Sequence, residues 1–452
     1  MIEVNGEQSG HPAQFVRELR HMNHVKKLCL LTVAGGSLVA GTAMAQGQGA
    51  DNYYSRNKYE AVKDRRQPEF DPEPLRLGTF LVDATAVLGA TYNSNVYAQD
   101  TNEESDVIVR IGGEAVGRTD WNVHQVGFDV SAYQNEYLDL SDESAPSLYA
   151  GVNGRLDVTR DFSLGARAFA DQSVLQRYDP AGLGGLEKPI EYTAAGAEVS
   201  ANYANDRFRW ANAVGVRDYN YKDGRIIGSG AVSDQDFRDN EDTYARSRLT
   251  YAVSPDLAVF VQGTAHDTSF DTTQIIGGLP RSRDSKGYTI AAGVDFELQS
   301  LIRGDVALGY LNEDKKDNYF SDVDGVSVDG RIQWFPSRLT TVTFTGSRRV
   351  SDTGIFEAPS ALATNYGAEI DHELRRNLIL SAQVTFSDFD YQEIDRTDEI
   401  TNYRVAATYK MNKRLHIDAF ARHLDWDSNG ANVAFVPSYG IDMVGVEFRF
   451  HP

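Results

Sequence analysis

Residues 288–298 read YTIAAGVDFEL, and every second residue from Tyr288 to Leu298 is apolar. The same period of two recurs in residues 306–310, 326–334 and 403–409. Successive side chains of a β-strand point to opposite faces, so each segment predicts a strand with one apolar face and one polar face. From Phe80 onward these segments run for about 10 to 17 residues. That length exceeds the usual globular strand and suits a strand that crosses lipid at a tilt.

The connections between these segments alternate between short and long. The tight turns are Arg118–Trp121, Thr159–Phe162, Asn205–Phe208, Ser254–Leu257, Gln299–Ile302, Phe335–Arg338, Glu373–Asn377 and Met411–Arg414. The longer, acidic loops are Tyr97–Ser105, Asp139–Ser147, Asp179–Pro189, Lys222–Glu241, Asp271–Ser285, Asp314–Ser321, Asp352–Ser360, Glu393–Glu399 and Asp427–Pro437. Eight turns and nine loops make seventeen connections and therefore eighteen strands. Short periplasmic turns, long extracellular loops and an even strand number are typical of outer-membrane barrels.

The sequence thus predicts an all-β protein, a single transmembrane antiparallel β-barrel over residues 80–450 with both termini on the periplasmic side. Aromatic residues near the turns are expected to form an interfacial girdle. They are Trp121, Phe162, Phe208, Trp210, Trp334 and Phe335. The alternative is a soluble propeller or double sandwich. Propeller blades would show recurring signatures every 40 to 50 residues or so, and none is visible.

Composition narrows the possible partners and the compartment. The 452 residues include 65 acidic and 44 basic side chains, for a net charge of −21. This balance argues against nucleic-acid binding, because phosphates require a basic surface. Cys29 is the single cysteine, so neither disulfides nor thiol chemistry is expected.

The N-terminal region predicts export. After Met22, the basic Lys26 and Lys27 precede an apolar run, Leu28–Ala40, and the small-residue pattern Ala43–Ala45. This arrangement predicts a cleaved signal peptide over residues 22–45 and hence the bacterial outer membrane; a membrane anchor is the alternative. Residues 1–21 are interpreted as an upstream extension of the reading frame.

Residues 46–79 would form a charged periplasmic leader. A short helix over Arg56–Gln67, stopped by Pro68, is expected within it. The leader is a tether, a small lumen plug or a disordered segment.

The opening of the predicted barrel resembles a known family. The segment from Pro72 to Val82 contains Arg76 and Gly78 and leads to Tyr92–Tyr97, which reads YNSNVY. Asp106–Arg110 and Arg118–Trp121 follow as a second strand and first turn. These motifs resemble the start of the putative β-barrel porin 2 family; beyond them the resemblance lies in strand rhythm alone. The resemblance implies a barrel that accompanies exopolysaccharide biosynthesis and passes a polymer across the outer membrane beside a periplasmic polysaccharide-export protein.

If the apolar faces meet lipid, the charged residues of the strands line a lumen. The backbone diameter of eighteen tilted strands is about 35 Å, enough for an aqueous pore. The predicted basic residues are Arg155, Arg246, Arg248, Arg303, Arg331, Arg404, Arg422 and Arg449, and the acidic ones are Asp157, Asp295, Glu297, Asp305, Asp329, Asp418 and Glu447. They could orient a polar solute, or pair across strands to support the wall. The near balance of charge predicts no strong ion selectivity.

Aromatic side chains are predicted on the same inner face near the loops. They are Tyr133, Tyr137, Tyr219, Tyr221, Phe389 and Tyr391. Aromatic rings can stack on sugar rings, so this set is a candidate glycan track. The alternatives are packing residues, or girdle residues whose facing changes at a bulge.

No catalytic, cofactor or metal site is predicted. His266, Asp267 and Ser269 form the one compact trio, but neighbours on a strand face opposite sides and cannot converge as a triad. The acidic loop residues Asp234, Asp236, Asp239, Glu241 and Asp242 could hold a divalent cation, but their spacing matches no EF-hand and hydration is the simpler role. Three functions remain open: a conduit for secreted polysaccharide, a general diffusion porin for small polar solutes, and a structural or adhesive barrel with an occluded lumen.

Overall fold

The computed structural model describes residues 60–182, 184–431 and 438–452. The predicted signal peptide, residues 1–21 and the first part of the leader lie outside these residues. Within them, the chain is built almost wholly from antiparallel strands. No helix in this part of the chain has the length and apolar character needed to span a bilayer.

Eighteen long strands form one closed sheet. They are β2 (Phe80–Asn93), β3 (Asp106–Thr119), β4 (Gln125–Tyr137), β5 (Ala145–Asp157), β6 (Phe162–Val174), β7 (Glu191–Ala204), β8 (Phe208–Tyr221), β11 (Asn240–Ser254), β12 (Leu257–Phe270), β15 (Ser285–Leu298), β16 (Ile302–Lys315), β17 (Val323–Ser337), β18 (Thr340–Asp352), β19 (Ser360–Arg375), β20 (Leu378–Tyr391), β21 (Thr397–Asn412), β22 (Leu415–Asn429) and β23 (Tyr439–Phe450). Each pairs with the next, and β2 pairs with β23 from Ala86↔Phe450 to Asn93↔Met443, which closes the barrel. The predicted all-β fold of eighteen strands is confirmed.

Short strands and 3₁₀ turns lie at the two ends of the barrel. They are β1 (Leu75–Leu77), β9 (Gly224–Arg225), β10 (Val232–Ser233), β13 (Gln274–Ile276), β14 (Leu279–Arg281), and the 3₁₀ turns Ser141–Glu143 and Asp236–Arg238. β1 pairs with the start of β2. The other two strand pairs, β9–β10 and β13–β14, are small hairpins within the loops 222–239 and 271–284. The long loops therefore carry structure of their own at the extracellular end.

The outer surface of the barrel is an apolar band between two rows of aromatics. Exposed aromatic side chains near the short turns include Trp210, Trp334, Tyr409 and Phe450, and those nearer the loops include Tyr92, Tyr288, Tyr310, Tyr366 and Tyr403. Such girdles mark the two bilayer interfaces. Phe335 was wrongly expected in the girdle. It is 2% exposed and packs in the lumen, with its ring centroid 5.0 Å from the Arg303 guanidinium.

The leader differs from the expectation in its local structure. Residues 62–65 and 68–70 form turns, so the described part of the expected helix is not helical. Each turn has one i→i+4 hydrogen bond, from Arg65 N to Ala61 O at 3.0 Å and from Asp71 N to Gln67 O at 2.8 Å. Tertiary contacts with the barrel, described below, explain why this segment is ordered without being a helix.

Candidate functional site

The charged residues predicted for the lumen alternate along each strand with exposed apolar residues of the outer face. In β5, for example, Arg155 and Asp157 flank the exposed Leu156. The structure likewise places on the inner face Arg246, Arg248, Arg303, Arg331, Arg404, Arg422, Arg449, Asp295, Glu297, Asp305, Asp329, Asp418 and Glu447. Whether this lining guides a solute stays a prediction.

Many of these charges are paired within the wall itself. Arg246 Nη2 lies 2.7 Å from Glu198 Oε2, and Arg155 Nε lies 3.0 Å from Asp157 Oδ1. Arg449 is shared among carboxylates, with Nη2 2.7 Å from Glu114 Oε1. The lumen wall is thus polar, and in these three pairs the charges are compensated within one strand or between strands that are two apart, not between directly neighbouring strands.

Aromatic rings cover other guanidinium groups of the lumen. The Arg248 guanidinium lies 3.5 Å from the Phe260 ring centroid and its Nη1 is 4.0 Å from Asp305 Oδ2. The Arg404 guanidinium lies 5.1 Å from the Phe420 ring centroid. Stacking of this kind stabilises a desolvated cation. Arg331, by contrast, is exposed to the lumen.

The six predicted track aromatics also lie on the inner face, but protein atoms surround much of their surface. Tyr133, Phe389 and Tyr391 are buried, whereas Tyr137, Tyr219 and Tyr221 are partly buried. These contacts favour the packing alternative in this conformation; stacking on a glycan stays a prediction for all six.

Specific partners hold two of the buried tyrosines. The Tyr391 hydroxyl donates to Asp398 Oδ2 at 3.0 Å, and the Arg396 guanidinium lies 4.6 Å from the Tyr391 ring centroid. The Tyr133 hydroxyl donates to Glu114 Oε2 at 3.1 Å. Each ring is therefore fixed by a carboxylate, which would have to be released before the ring could slide along a polymer.

The leader occupies the short-turn end of the lumen. Val62 N donates to Thr341 Oγ1 at 3.0 Å, and Thr341 is only 1% exposed. Arg65 Nη1 lies 2.6 Å from Glu373 Oε2, while Lys63 contacts Glu369 and lies 2.9 Å from Asp371 Oδ1. The three carboxylates share one face of β19 because their spacing is two residues. This part of the leader is a lumen segment.

A second, acidic half of the leader binds basic residues at the rim. Asp71 Oδ1 lies 2.7 Å from Lys410 Nζ, and Glu73 contacts Lys413. The hydrogen bond from Lys413 lowers the pKa of Glu73. At Lys63, burial disfavours the charge, but the carboxylates of Asp371 and Glu369 outweigh burial and raise the pKa of the ammonium. Complementary charges therefore hold both halves of the leader.

At the other end, the described residues of the loop 175–190, all but residue 183, reach toward β22. The ring of Tyr178 lies 5.2 Å from the guanidinium of Arg422 in β22, which is a lumen residue. Arg177 anchors the loop by two bonds to Glu143, at 3.1 and 2.6 Å, and one to Leu186 O at 2.9 Å. The loop thus narrows the extracellular mouth.

The His266 region has a geometry different from a catalytic triad. Its Nε2 lies 2.8 Å from Glu313 Oε2, and the other carboxylate oxygen of Glu313 accepts a bond from Ser285 Oγ at 2.5 Å. Gly287 of β15 lies directly opposite His266 of β12, and a Cβ at Gly287 would meet the His266 ring at 2.2 Å. Glu313 thus lies between His266 and Ser285 and contacts both.

One acidic group in the loops could meet the geometry of a cation site. Carboxylate oxygens of Asp223, Asp234 and Asp236 lie within 4.8 Å of one another. All three residues are exposed. A partial loss of solvation and, after it, the negative charge of Asp234 raise the pKa of Asp236. Solvated acidic groups of this kind occur without an ion, so we assign no metal to them.

Sequence reasoning missed the residues that close the two ends: Lys63 and Arg65 in the leader, and Tyr178, Arg238 and Arg283 in the loops. For Arg238 and Arg283 the available signal was their charge, because basic residues are few in these loops. The partners of Arg283 and Lys63, Asp352 and Glu369, are 69 and 306 residues away, beyond the range of a local pattern.

Comparison with known proteins gives a family. A family model described as "Putative beta-barrel porin 2" matches residues 67–450. No curated protein matches the chain. Among solved structures, a BenF-like porin from Pseudomonas fluorescens is similar at 10% identity over 82% of this chain and 99% of that one, with a TM-score of 0.45. Pseudomonas aeruginosa OccK2, in complex with glucuronate, is similar at 10% identity over 83% and 99%, also at 0.45. The ferric enterobactin receptor PfeA of the same species is similar at 6% identity over 82% and 81%, with a TM-score of 0.47.

Proposed function

This chain belongs to the putative β-barrel porin 2 family, and from that premise we propose that it is an outer-membrane conduit through which a secreted polysaccharide leaves the cell. Family and fold together make it a porin-like barrel of the bacterial outer membrane. Barrels of this kind are typically non-enzymatic. The polymer and the periplasmic export protein that would deliver it are parts of the proposal.

The observation that carries the proposal is the internal neutralisation of the lumen wall. Pairs such as Arg246–Glu198 and Arg449–Glu114 leave polar atoms along the wall while their charges compensate. A polymer that slides through a pore needs many weak contacts, since one strong site would hold it. Paired guanidinium and carboxylate groups still offer donors and acceptors to sugar hydroxyls. A wall with a large excess of one charge would instead concentrate counter-ions.

Closure at both ends also supports a conduit that opens on demand. The leader binds β19 at the periplasmic end through Lys63 and Arg65, and the loop 175–190 reaches Arg422 at the other end. An unguarded pore of this width would leak small solutes. In the proposal, the periplasmic export protein displaces the leader when polymer is ready.

The test is deletion of the gene in its native host, with secreted and periplasmic polymer measured separately. We expect secreted polymer to fall at least tenfold while periplasmic polymer accumulates, and a plasmid copy to restore secretion. An unchanged secreted yield would refute the conduit.

A diffusion porin for small polar solutes is the second candidate, since a polar lumen wall whose charges are paired would also suit such solutes. Steady conductance of the purified barrel in a planar bilayer, unaltered by added oligosaccharides, would favour it.

A further inference from the structure

Two arginines are buried side by side in the loops that cover the extracellular mouth. Arg238 ends the loop 222–239 and is 1% exposed, while Arg283 lies in the loop 271–284 and is 0% exposed. Each lies within the electrostatic influence of the other, and burial together with this repulsion outweighs Asp352 and lowers the pKa of Arg283. Buried cations normally occur with carboxylate partners.

The carboxylates around this pair compensate it only in part. Arg283 Nη2 lies 2.7 Å from Asp352 Oδ1. Arg238 has no carboxylate partner in the described ranges; its Nη1 donates to Gln235 Oε1 at 3.4 Å. The neighbouring Asp239 is already used, because it accepts bonds from Tyr221 N and Asn220 Nδ2, both at 2.7 Å. Within the described residues, a carboxylate thus forms an ion pair with Arg283 and none forms one with Arg238.

Several buried polar atoms in these loops have no hydrogen-bond partner within residues 60–182, 184–431 and 438–452. They are Nε of Arg238, Nε of Arg281, Nε of Arg283 and both amide atoms of Gln274, which is 2% exposed and belongs to the same loop as Arg281 and Arg283. Buried polar groups in folded proteins are nearly always paired. The Nε groups of Arg238 and Arg283 therefore lack an acceptor within the described residues.

The loop 353–359 covers the two arginines. Arg283 donates to three of its carbonyl oxygens, those of Thr353 at 2.9 Å, Pro359 at 3.2 Å and Ile355 at 3.4 Å. Gly354 packs so closely that a Cβ would lie 2.6 Å from Ala181 O and 3.2 Å from Arg238 Nη1. The guanidinium of Arg283 is therefore the main polar anchor of this cover.

We propose that Arg238 and Arg283 bind the carboxylate of an acidic sugar, which takes over the hydrogen bonds that hold the loop 353–359. This inference rests on the proposed function, because it names the chemical class of the exported polymer. The planar guanidinium fork matches a carboxylate in a two-bond arrangement. Loss of the Arg283 bonds releases the loop from the mouth, so the cargo itself opens the extracellular end.

Aromatic rings beside the two arginines suit the sugar ring that would carry the carboxylate. The Arg238 guanidinium lies 4.2 Å from the Tyr221 ring centroid. The Arg283 guanidinium lies 5.4 and 5.3 Å from the ring centroids of Phe237 and Phe270. These rings stabilise the unpaired cations while the loop is closed. Once it opens, they offer apolar faces to a pyranose ring.

The test is calorimetric titration of the full barrel in detergent with trigalacturonate, a tri-uronate probe, and with neutral maltotriose. We expect trigalacturonate alone to bind, and Arg238→Gln and Arg283→Gln each to weaken it at least tenfold. Arg281→Gln is the matched control. It lies in the same loop as Arg283, but its Nη1 is 3.2 Å from Asp317 Oδ1, so its charge is already compensated. The affinity of the Arg281→Gln variant for trigalacturonate should match that of the wild type.

Folding of each variant is checked by heat-modifiable mobility on gels. If a Gln variant fails to fold, Arg238→Lys and Arg283→Lys keep the charge but lose the fork, and they should weaken trigalacturonate several-fold. Equal affinity in wild type and variants would overturn the proposal. Inorganic phosphate that binds as tightly as trigalacturonate and competes with it would overturn the assignment to an acidic sugar.

The outcome is separable from that of the conduit test. Loss of secretion on gene deletion without trigalacturonate binding would leave the conduit intact and reject this site. Trigalacturonate binding that depends on both arginines, together with unchanged secretion, would support this site and reject the conduit.

Discussion

Reversal of two leader charges should open the periplasmic end of the lumen. In the double variant Lys63→Glu, Arg65→Glu, the leader would face the carboxylates of Glu369, Asp371 and Glu373 with like charges. The side chains of Lys63 and Arg65 are 31% and 27% exposed, whereas those of Asp371 and Glu373 are 6% and 7% exposed. The carboxylates are thus the more desolvated partners.

The magnitude follows from this partial burial. Breaking a fully buried pair costs about 3–5 kcal/mol, and the exposure of the cations reduces this to about 1–2 kcal/mol for each pair. Two pairs together give about 2–4 kcal/mol, which is a shift of about 30- to 1,000-fold in the docking equilibrium of the leader.

Thiol labelling at position 341 reads this equilibrium directly. Thr341 lies under the leader and is 1% exposed. A Thr341→Cys substitution should therefore react with a bulky maleimide far faster in the double variant than in the wild-type leader. The single natural cysteine, Cys29, lies in the predicted signal peptide, so the mature chain would add no background.

Two controls make the result specific. Thr345→Cys, on the same face of β18 but exposed, should be labelled equally fast with either leader. Arg76→Glu removes an exposed pair with Asp120 and should leave labelling at position 341 unchanged, because such a pair contributes little. Labelling at position 341 as fast as at 345 in the wild type, or no acceleration in the double variant, would refute a docked leader.

Three further changes probe the wall and the loops. Gly293→Val should lower the free energy of unfolding by about 1–3 kcal/mol in urea titration, because a side chain there strikes the Phe260 ring; an unchanged midpoint would contradict this close packing. Tyr391→Phe should destabilise the barrel by about 1–2 kcal/mol, read by gel mobility against temperature, since it strips Asp398 of a buried hydrogen bond. Burial raises the pKa of Asp239 to about 6, so the folded loop holds its proton more tightly than the unfolded chain. Its contribution to stability is therefore greatest at acidic pH and is lost as pH rises through about 6. In the Asp239→Asn variant, the melting temperature should depend less on pH between pH 5 and 7 than it does in the wild type.

The barrel wall could be predicted from the sequence because its signals are local. A period of two, a tight turn and a long acidic loop each occupy a few residues, and together they yield the strand number. The error at Phe335 was avoidable on the same grounds. Trp334 and Phe335 are neighbours on β17, so only one of them can face lipid. The structure places Trp334 outside and Phe335 against Arg303.

The closures at the two ends could not be predicted in this way. Val62 meets Thr341 across 279 residues, and Arg65 meets Glu373 across 308. Such contacts depend on how the strands are arranged around the barrel, and a strand pattern is silent about what enters the lumen. The alternation of residues along β20 predicts that Tyr391 faces the lumen. Its burial against Arg396 depends instead on where the loop 392–396 folds.

The ion pairs of the barrel differ between the wall, where they support the strands, and the leader and loops, which in our proposal open and close the lumen. Arg246 on β11 and Glu198 on β7, which are separated by β8, neutralise each other and need no solute. The ion pairs at the ends join the wall to a leader or a loop, and among the described residues Arg283 has a carboxylate partner whereas Arg238 has none. A guanidinium buried without full compensation destabilises the closed arrangement of the loops, so an anion that supplies the missing acceptor favours opening. The energetic bias toward opening therefore lies in the segments that close the pore, and substitutions there should alter transport before they alter folding.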